Sequence, residues 1–348
     1  MTHFPAVPTF DKVVSVPPHV SVVIPAYNSE RTLHACLGAV YGQTHPPVEV
    51  IVVDDASTDR TREIARRFPV RLLQTPVNSG PAAARNRGIK ASTGDVVFFV
   101  DADCAPTPTA IATALRIMAD EPDIDCVHGV YLTQPLYDDG PVEAYRLLHA
   151  HYWRIRNTGR VRTAIFALCA VRRSVFDDVG FFDERLRASE DVELSDRMAD
   201  RHGIWLSADV TCRHDDDSRL WPMLRKQFGR SQMLVPVAVR ERGPAGLRAN
   251  RPGGVLAAAA VLGTLPLAVL TPVLLVLPGL ALAWFVVADP GLVGFVRRER
   301  GTAFLALFLC LHFLVHLAIV CGGTVGGVRF LLDSDFGPTR RLAPGTSR

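Results

Sequence analysis

Short apolar runs alternate with stretches of helical period through the first hundred residues, a pattern that predicts a parallel sheet with helices on both faces. Val20-Ser21-Val22-Val23-Ile24 closes at Pro25, and Ser29 to Tyr41 then places Leu33, Leu37 and Val40 on one helical face. Val48 to Val53 reads as the second strand, followed by a helix over Arg60 to Phe68 that Ser57, Thr58 or Asp59 caps. Val70 to Leu73, a helix over Pro81 to Ala91, and the strand Asp95 to Val100 complete the alternation.

Beyond residue 110 the pattern is less regular. Helices are expected over Ile111 to Ala119, Val142 to Arg156, Ser189 to His202 and Arg219 to Val239, with strands over Asp125 to Leu132, Ala164 to Val171 and Ile204 to Val210. Two stretches, Pro252 to Ala288 and Gly301 to Val328, hold no Asp, Glu, Lys or Arg and read as membrane segments. A straight helix over the first would run about 55 Å against a hydrocarbon core of about 30 Å. Pro266, Pro272 and Pro278 interrupt it, so a tight hairpin is expected, with a single span plus an interfacial helix as the alternative. The domains are thus an extension over 1–18, a catalytic domain over 19–240 divided near 105, a membrane region of two or three helices over 252–328, and a tail over 329–348.

Charge and cysteine usage bound the setting. Arg240, Arg242, Arg248 and Arg251 flank one membrane segment and Arg297-Arg298-Glu299-Arg300 the other, placing both groups on the cytoplasmic side. Arg329, Arg340 and Arg341 conflict with that topology unless the last segment is re-entrant or lies on the surface. Met1 to Pro18 shows no secretory signal, so the catalytic part is expected in the cytoplasm. The seven cysteines form no Cys-x-x-Cys pair and read as buried thiols. A net charge of +3 without an aromatic-interleaved basic stripe argues against nucleic acid.

The candidate chemistry gathers at strand ends, where open α/β sheets bind ligands. Asp101-Ala102-Asp103 follows the buried run Val96 to Val100, and Asp54-Asp55 follows Val50 to Val53. Most Asp-x-Asp tripeptides are solvated loops, but two carboxylates at a buried strand end suit Mg²⁺ or Mn²⁺ holding a phosphate-bearing ligand. Asp103 is the better direct ligand, and Asp101 a hydrogen-bond partner of a sugar or ribose. Glu190-Asp191 opens a helix, where acidic residues also answer the helix dipole; Phe181-Phe182-Asp183-Glu184 delivers the pair to the sheet rim. Asp191 is the candidate base and Glu190 a supporting acceptor contact. His214 is either structural or a metal ligand, and Asp215-Asp216-Asp217 reads as a solvated turn. His149, His151, Tyr152 and Trp153 are acceptor-side candidates or, more simply, a packed helix stripe.

Taken in order, Val22-Val23-Ile24-Pro25-Ala26-Tyr27-Asn28, Val52 to Asp59, Asn78-Ser79-Gly80-Pro81-Ala82-Ala83-Ala84-Arg85-Asn86, Asp101-Ala102-Asp103, Gly180 to Glu184 and Glu190-Asp191 resemble the family 2 glycosyltransferases. The resemblance covers about Val20 to Val239. It implies an α/β GT-A fold, a Rossmann-like mostly parallel sheet followed here by C-terminal transmembrane helices, and an inverting reaction on a nucleoside diphosphate sugar. In family terms Pro25, Ala26, Tyr27, Asn28, Gly80, Arg85, Asp101, Ala102 and Asp103 form the nucleotide-sugar site, with Asp55 on the base. Asp103 and His214 would hold Mg²⁺ or Mn²⁺, and Asp191 would be the base. Processive members carry Gln-x-x-Arg-Trp; this chain has Gln227-Phe228-Gly229-Arg230-Ser231, which favours single addition. The partners so implied are the nucleotide sugar, a lipid or lipid-linked acceptor and the inner membrane. A sugar-phosphate nucleotidyltransferase and a non-catalytic membrane scaffold are the competing readings; Pro25-Ala26-Tyr27-Asn28 replaces the glycine-rich loop of the former.

Overall fold

The first four apolar runs form β1 (Val20–Ala26), β2 (Glu49–Asp54), β3 (Arg71–Gln74) and β4 (Val96–Val100), in a computed structural model that describes residues 18–186, 189–240, 250–333 and 336. They lie parallel in the order β3-β2-β1-β4, joined through α1 (Leu33–Tyr41), α2 (Thr61–Ala65) and α3 (Pro81–Ala91). Alternate side chains leave opposite faces of the sheet. Val22, Ile24 and Phe98 pack with Leu33 and Leu37 of α1, while Val23, Val97 and Phe99 pack with Ile89 of α3, so β4 is buried along its whole length. None of the three residues expected to cap α2 is its N-cap, which is Arg60; Asp59, one residue earlier, accepts from Thr61 N at 2.9 Å through Oδ1.

The second half supplies β5 (Cys104–Pro106), α4 (Ala110–Asp120), β6 (Ile124–Tyr131), α5 (Pro141–Ile155), β7 (Gly159–Val161), β8 (Leu168–Arg172), α6 (Arg173–Val179), α7 (Glu190–Met198), β9 (Gly203–His214), α8 (Leu220–Ser231) and α9 (Leu234–Arg240). The sheet continues β4-β8-β6-β9-β5, with β7 on β9. β8 runs antiparallel to both β4 and β6, which makes the sheet mixed beyond its parallel nucleotide half. Three expectations need correction. β9 runs past Val210 to His214, because its end pairs with β5. The strand expected from Ala164 begins only at Leu168, the preceding residues being irregular. The single helix expected over Arg219 to Val239 breaks after Ser231 into α8 and α9.

The C-terminal region is a hairpin followed by one long helix. α10 (Pro252–Thr264) tightens into a 3₁₀ turn over Leu265–Val269, and a second over Pro272–Leu275 leads into α11 (Val276–Val287). Pro266 and Pro272 lie in those turns, where a missing N–H is tolerated. The arms are about 30 Å and about 26 Å long at the usual rises, close to a hydrocarbon core. Gly253 at the start of α10 lies beside Ala288 after α11, as the expected hairpin requires. Its tip bares Val269, Leu270 and Val273, each more than three-quarters exposed.

α12 (Pro290–Leu332) bends at Gly301, whose φ of 80° only glycine adopts readily. The part beyond the bend is laid along the catalytic domain: Phe308, Leu311, Val315 and Ile319 share a core with Tyr145 and Leu148 of α5 and Met223 of α8. Gly322 lets the backbones meet, for a Cβ there would stand 2.5 Å from the Phe228 carbonyl oxygen. Among the described residues, two helices, Pro252–Val269 and Pro290–Leu332, are long and apolar enough to cross a membrane. The extension through Pro17, Arg242, Arg248, Arg340 and Arg341 lie outside the described residues.

Candidate active site

Asp103 and His214 meet because of strand register. After β4, Cys104 N donates to Asp101 O at 2.9 Å, a tight turn that passes Asp103 into β5. β5 and β9 run antiparallel with Cys104 opposite His214, and Asp215 N donates to Asp103 O at 3.1 Å. Asp103 Oδ1 therefore lies 3.5 Å from His214 Nε2, and one ligand atom each of Asp103, Cys104 and His214 falls within 4.8 Å of the others. Burial pulls the imidazole pKa down, but Asp103 and Asp216 together hold it up at about 9. The two carboxylates thus draw positive charge to this point, and a metal on Nε2 would supply it in place of the proton. Burial keeps the Cys104 thiol protonated, so the donor set is carboxylate and imidazole, which suits Mn²⁺ or Mg²⁺ better than a thiophilic ion. The ring of Tyr131 stacks on His214 with centroids 4.2 Å apart, fixing its plane.

The acidic triplet after His214 is no solvated turn. Asp215 pairs with Arg31, Asp217 with Lys226, and Asp216, with only 8% of its side chain exposed, with Arg146 at 3.1 Å. Arg31 and Arg146 come from elements distant in sequence, whereas Lys226 stands on α8, the next element.

Asp191 is held across the rim by Arg85. Its guanidinium, 3% exposed, donates from Nη2 to Asp101 Oδ1 at 2.9 Å and from Nη1 to Glu190 Oε1 at 2.9 Å and Asp191 Oδ1 at 3.4 Å. One cation joins the end of β4 to the start of α7. Asp191 Oδ2 also accepts from Phe166 N at 3.2 Å. Burial pushes the Asp191 carboxyl up to about 6, Arg85 opposing and Glu190 and Asp101 adding to the rise. Asn86, next to Arg85 on α3, accepts from Phe182 N and donates to Phe182 O, both at 2.9 Å, which docks the Phe181 to Glu184 turn just ahead of α7.

At the other end, Tyr27 is half exposed after β1, and Asn28 adopts a φ of 49° while its Oδ1 accepts from Thr58 N at 2.9 Å. Pro25 and Ala26 end β1, Ala26 buried against β2. Asp55 is buried and takes hydrogen bonds from Thr75 Oγ1 at 2.6 Å, Ser79 N at 2.9 Å and Gly80 N at 2.7 Å. It therefore holds the loop before α3, where Gly80 has a φ of 91°. Ala102 is buried between the two aspartates.

A cleft of about 760 Å³ runs from Asp103 and His214 past Tyr131, Ile165 and Arg154 to Val315 of α12. A match to the model of "Glycosyl transferase family 2" covers residues 21–180. Glycosyltransferase AglE of Haloferax volcanii is 32% identical over 64% of this chain and 76% of its own. The chain belongs to glycosyltransferase family 2. Among other relatives, the pre-mycofactocin glycosyltransferase of Mycobacterium tuberculosis is 28% identical over 64% of this chain, which spans 48% of it. The fold is shared with the mannosyltransferase PcManGT from Pyrobaculum calidifontis, solved in complex with GDP-Man and Mn²⁺, at 22% identity, a TM-score of 0.55 and coverage of 92% of this chain and 88% of that one. The sheet is accordingly of the GT-A type, and the protein is a transferase.

Of the residues that the sequence of this family 2 chain singled out, Asp101, Glu190 and Asp191 meet on Arg85, and Asp103 meets His214. Sequence reasoning missed Tyr131, Arg154 and the buried pairing of Asp216. Nothing in the spacing marks them, although the helical register of α5 already set Arg154 on the face of Leu147 and Ala150.

Proposed function

We propose that the protein is a membrane-anchored, divalent-metal-dependent inverting glycosyltransferase, which moves one sugar from a nucleoside diphosphate sugar to a hydroxyl of a lipid or lipid-linked acceptor. The observation that carries this reading is the meeting of Asp103 with His214 and of Asp101 with Asp191 beyond the end of β4, the latter pair sharing Arg85. Pro25, Ala26, Tyr27, Asn28 and the Asp55-held Gly80 loop would line the nucleotide pocket. Asp103 and His214 would hold Mg²⁺ or Mn²⁺, whose charge offsets that of the departing diphosphate. The Mn²⁺ and GDP-Man in the PcManGT complex support that assignment.

Asp191 takes the proton of the acceptor hydroxyl as its oxygen bonds to the anomeric carbon, and the bond to the nucleoside diphosphate breaks with its electron pair on the diphosphate. Attack from the face opposite the leaving group inverts the centre. Glu190 shares Arg85 with the base and steadies the acceptor side. Arg85 is thereby a positioning residue more than a nucleotide contact. Single addition is supported by Ser231, which stands where processive members carry tryptophan; it is 2% exposed, and a Cβ on Gly322 would lie 2.9 Å from its Cβ. No room exists there for an indole. The reading extends to a multi-pass inner-membrane protein with the catalytic domain on the cytoplasmic face: the exposed hairpin tip and the two long apolar helices support membrane association, and the arginines flanking the segments support the orientation.

A panel of nucleoside diphosphate sugars with Mn²⁺, read by release of UDP, GDP or dTDP, tests the reading. Release of pyrophosphate instead, or no binding of any nucleoside diphosphate, would overturn it.

A further inference from the structure

α12 is tied to the catalytic domain at both ends and at its middle. At its start Asp289, the N-cap, accepts from Leu292 N at 3.1 Å and from the Tyr152 hydroxyl of α5 at 2.9 Å. Midway, His312 Nδ1 stands 3.1 Å from the Tyr145 hydroxyl, also of α5. Near the far end Arg329 Nη1 donates to Gln232 Oε1 at 2.8 Å, where α8 gives way to α9. A helix that crossed a bilayer would carry one of its ends to the other side. This one brings both back to the same domain.

Its surroundings also oppose a crossing. From the bend at Gly301 to Arg329 the helix runs about 42 Å, longer than a hydrocarbon core of about 30 Å, and over that length it packs on α5 and α8. Arg225, Lys226 and Arg230 are exposed on α8, so a perpendicular α12 would draw cations to hydrocarbon depth, which is costly. The hairpin, by contrast, meets α12 near its own open end. Phe285 of α11 lies 5.1 Å, ring to ring, from both Phe313 and His316, and a Cβ on Gly254 of α10 would stand 2.9 Å from His316 Nε2. The middle of α12 is therefore level with the point where the hairpin arms start.

The face that α12 turns away from α5 and α8 is apolar. Leu307, Cys310, Leu314, Cys321, Val325 and Val328 are exposed at helical spacing, with no Asp, Glu, Lys or Arg from Gly301 to Val328. Exposed arginines bracket the stripe, Arg297, Arg298 and Arg300 before the bend and Arg329 at the end, where lipid phosphates would meet them. An apolar stripe level with the base of a membrane hairpin is covered by the same bilayer.

We infer that α12 does not cross the membrane: it lies along the leaflet on the catalytic side, its outward stripe at the boundary of headgroups and acyl chains, and the α10–α11 hairpin alone enters the hydrocarbon. This rests on the membrane-associated reading above and names the surface by which the protein meets the lipid. It also places Arg329 on the cytoplasmic side, removing its conflict with the charge rule.

The native cysteines supply the test. Cys310 and Cys321 are exposed on the stripe and the other five are buried, so Cys321→Ser and Cys310→Ser each leave one site for a nitroxide label. The full chain is reconstituted into phosphatidylethanolamine and phosphatidylglycerol vesicles, and label depth is read from collision with oxygen against a water-soluble nickel chelate. A third label, Leu270→Cys at the hairpin tip with both stripe cysteines changed to Ser, is the reference and should lie deep in the hydrocarbon. The two stripe labels are expected within about 5 Å of the same depth, near the headgroups; a spanning helix would separate them by about 16 Å. A difference of that size overturns the inference, and so do two stripe labels in water, which would make the stripe a contact for protein or solvent. A deep tip label with either result sinks this inference alone, whereas a tip label in water sinks the membrane reading beneath it.

Discussion

The two halves of the catalytic domain each bury an arginine, and the two are held in opposite ways. In the nucleotide half, Arg85 is enclosed by Asp101, Glu190 and Asp191. In the acceptor half, Arg154 has only aromatic rings and a carbonyl. A guanidinium matched by three carboxylates is architecture: it fixes where they stand, even with its Nε left without a hydrogen-bond partner. A guanidinium that faces only rings and a carbonyl keeps its charge unmatched after burial has removed its water. The contrast separates a half whose buried charge is balanced within the chain from one whose buried charge is not.

Breaking the saturated side at the base should have the largest effect. Asp191→Asn removes the proton acceptor and should lower turnover by about 10³-fold while nucleotide affinity with Mn²⁺ is kept, as read by nucleoside diphosphate release and calorimetry. Arg85→Met leaves three carboxylates facing one another in a buried site; a loss of about 3–5 kcal/mol is expected from thermal melts. Because Arg85 holds the Asp191 pKa down, the acid limb of the activity profile should also move to higher pH in that variant. A profile that does not move would place Arg85 outside the control of the base.

On the acceptor side, Ser231→Trp forces an indole against Gly322 and should cost about 1–3 kcal/mol without lengthening the product. Longer products from this variant would revive processivity. The smallest effect is read in the wild type. Asp191 must be ionised to accept a proton, so activity should rise with pH, level off above 6 and fall about tenfold for each unit below it.

The nucleotide half was almost wholly legible because its signals are local. Strand runs, the helix over Pro81–Ala91 and the Asp-x-Asp at a strand end all follow from periodicity and neighbouring residues. The acceptor half was read less well because its decisive contacts are distant in sequence. His214 faces Cys104 only through the β5–β9 ladder, and Asp216 finds Arg146 only after α5 packs against β9. The break between α8 and α9 likewise answers to α12, whose glycines press on Phe228 and Gln232. Periodicity sees the amphipathic face of a helix but not the backbone of a partner laid across it.

That glycine seam has a consequence for reach. With Gly322 and Gly326 drawn against α8, no flexible tether separates the anchor from the catalytic domain along this contact. In the membrane-anchored arrangement the reaction centre then stands at one height above the bilayer. The helix pair acts as a depth gauge: an acceptor is served only when its reactive oxygen stands at that height.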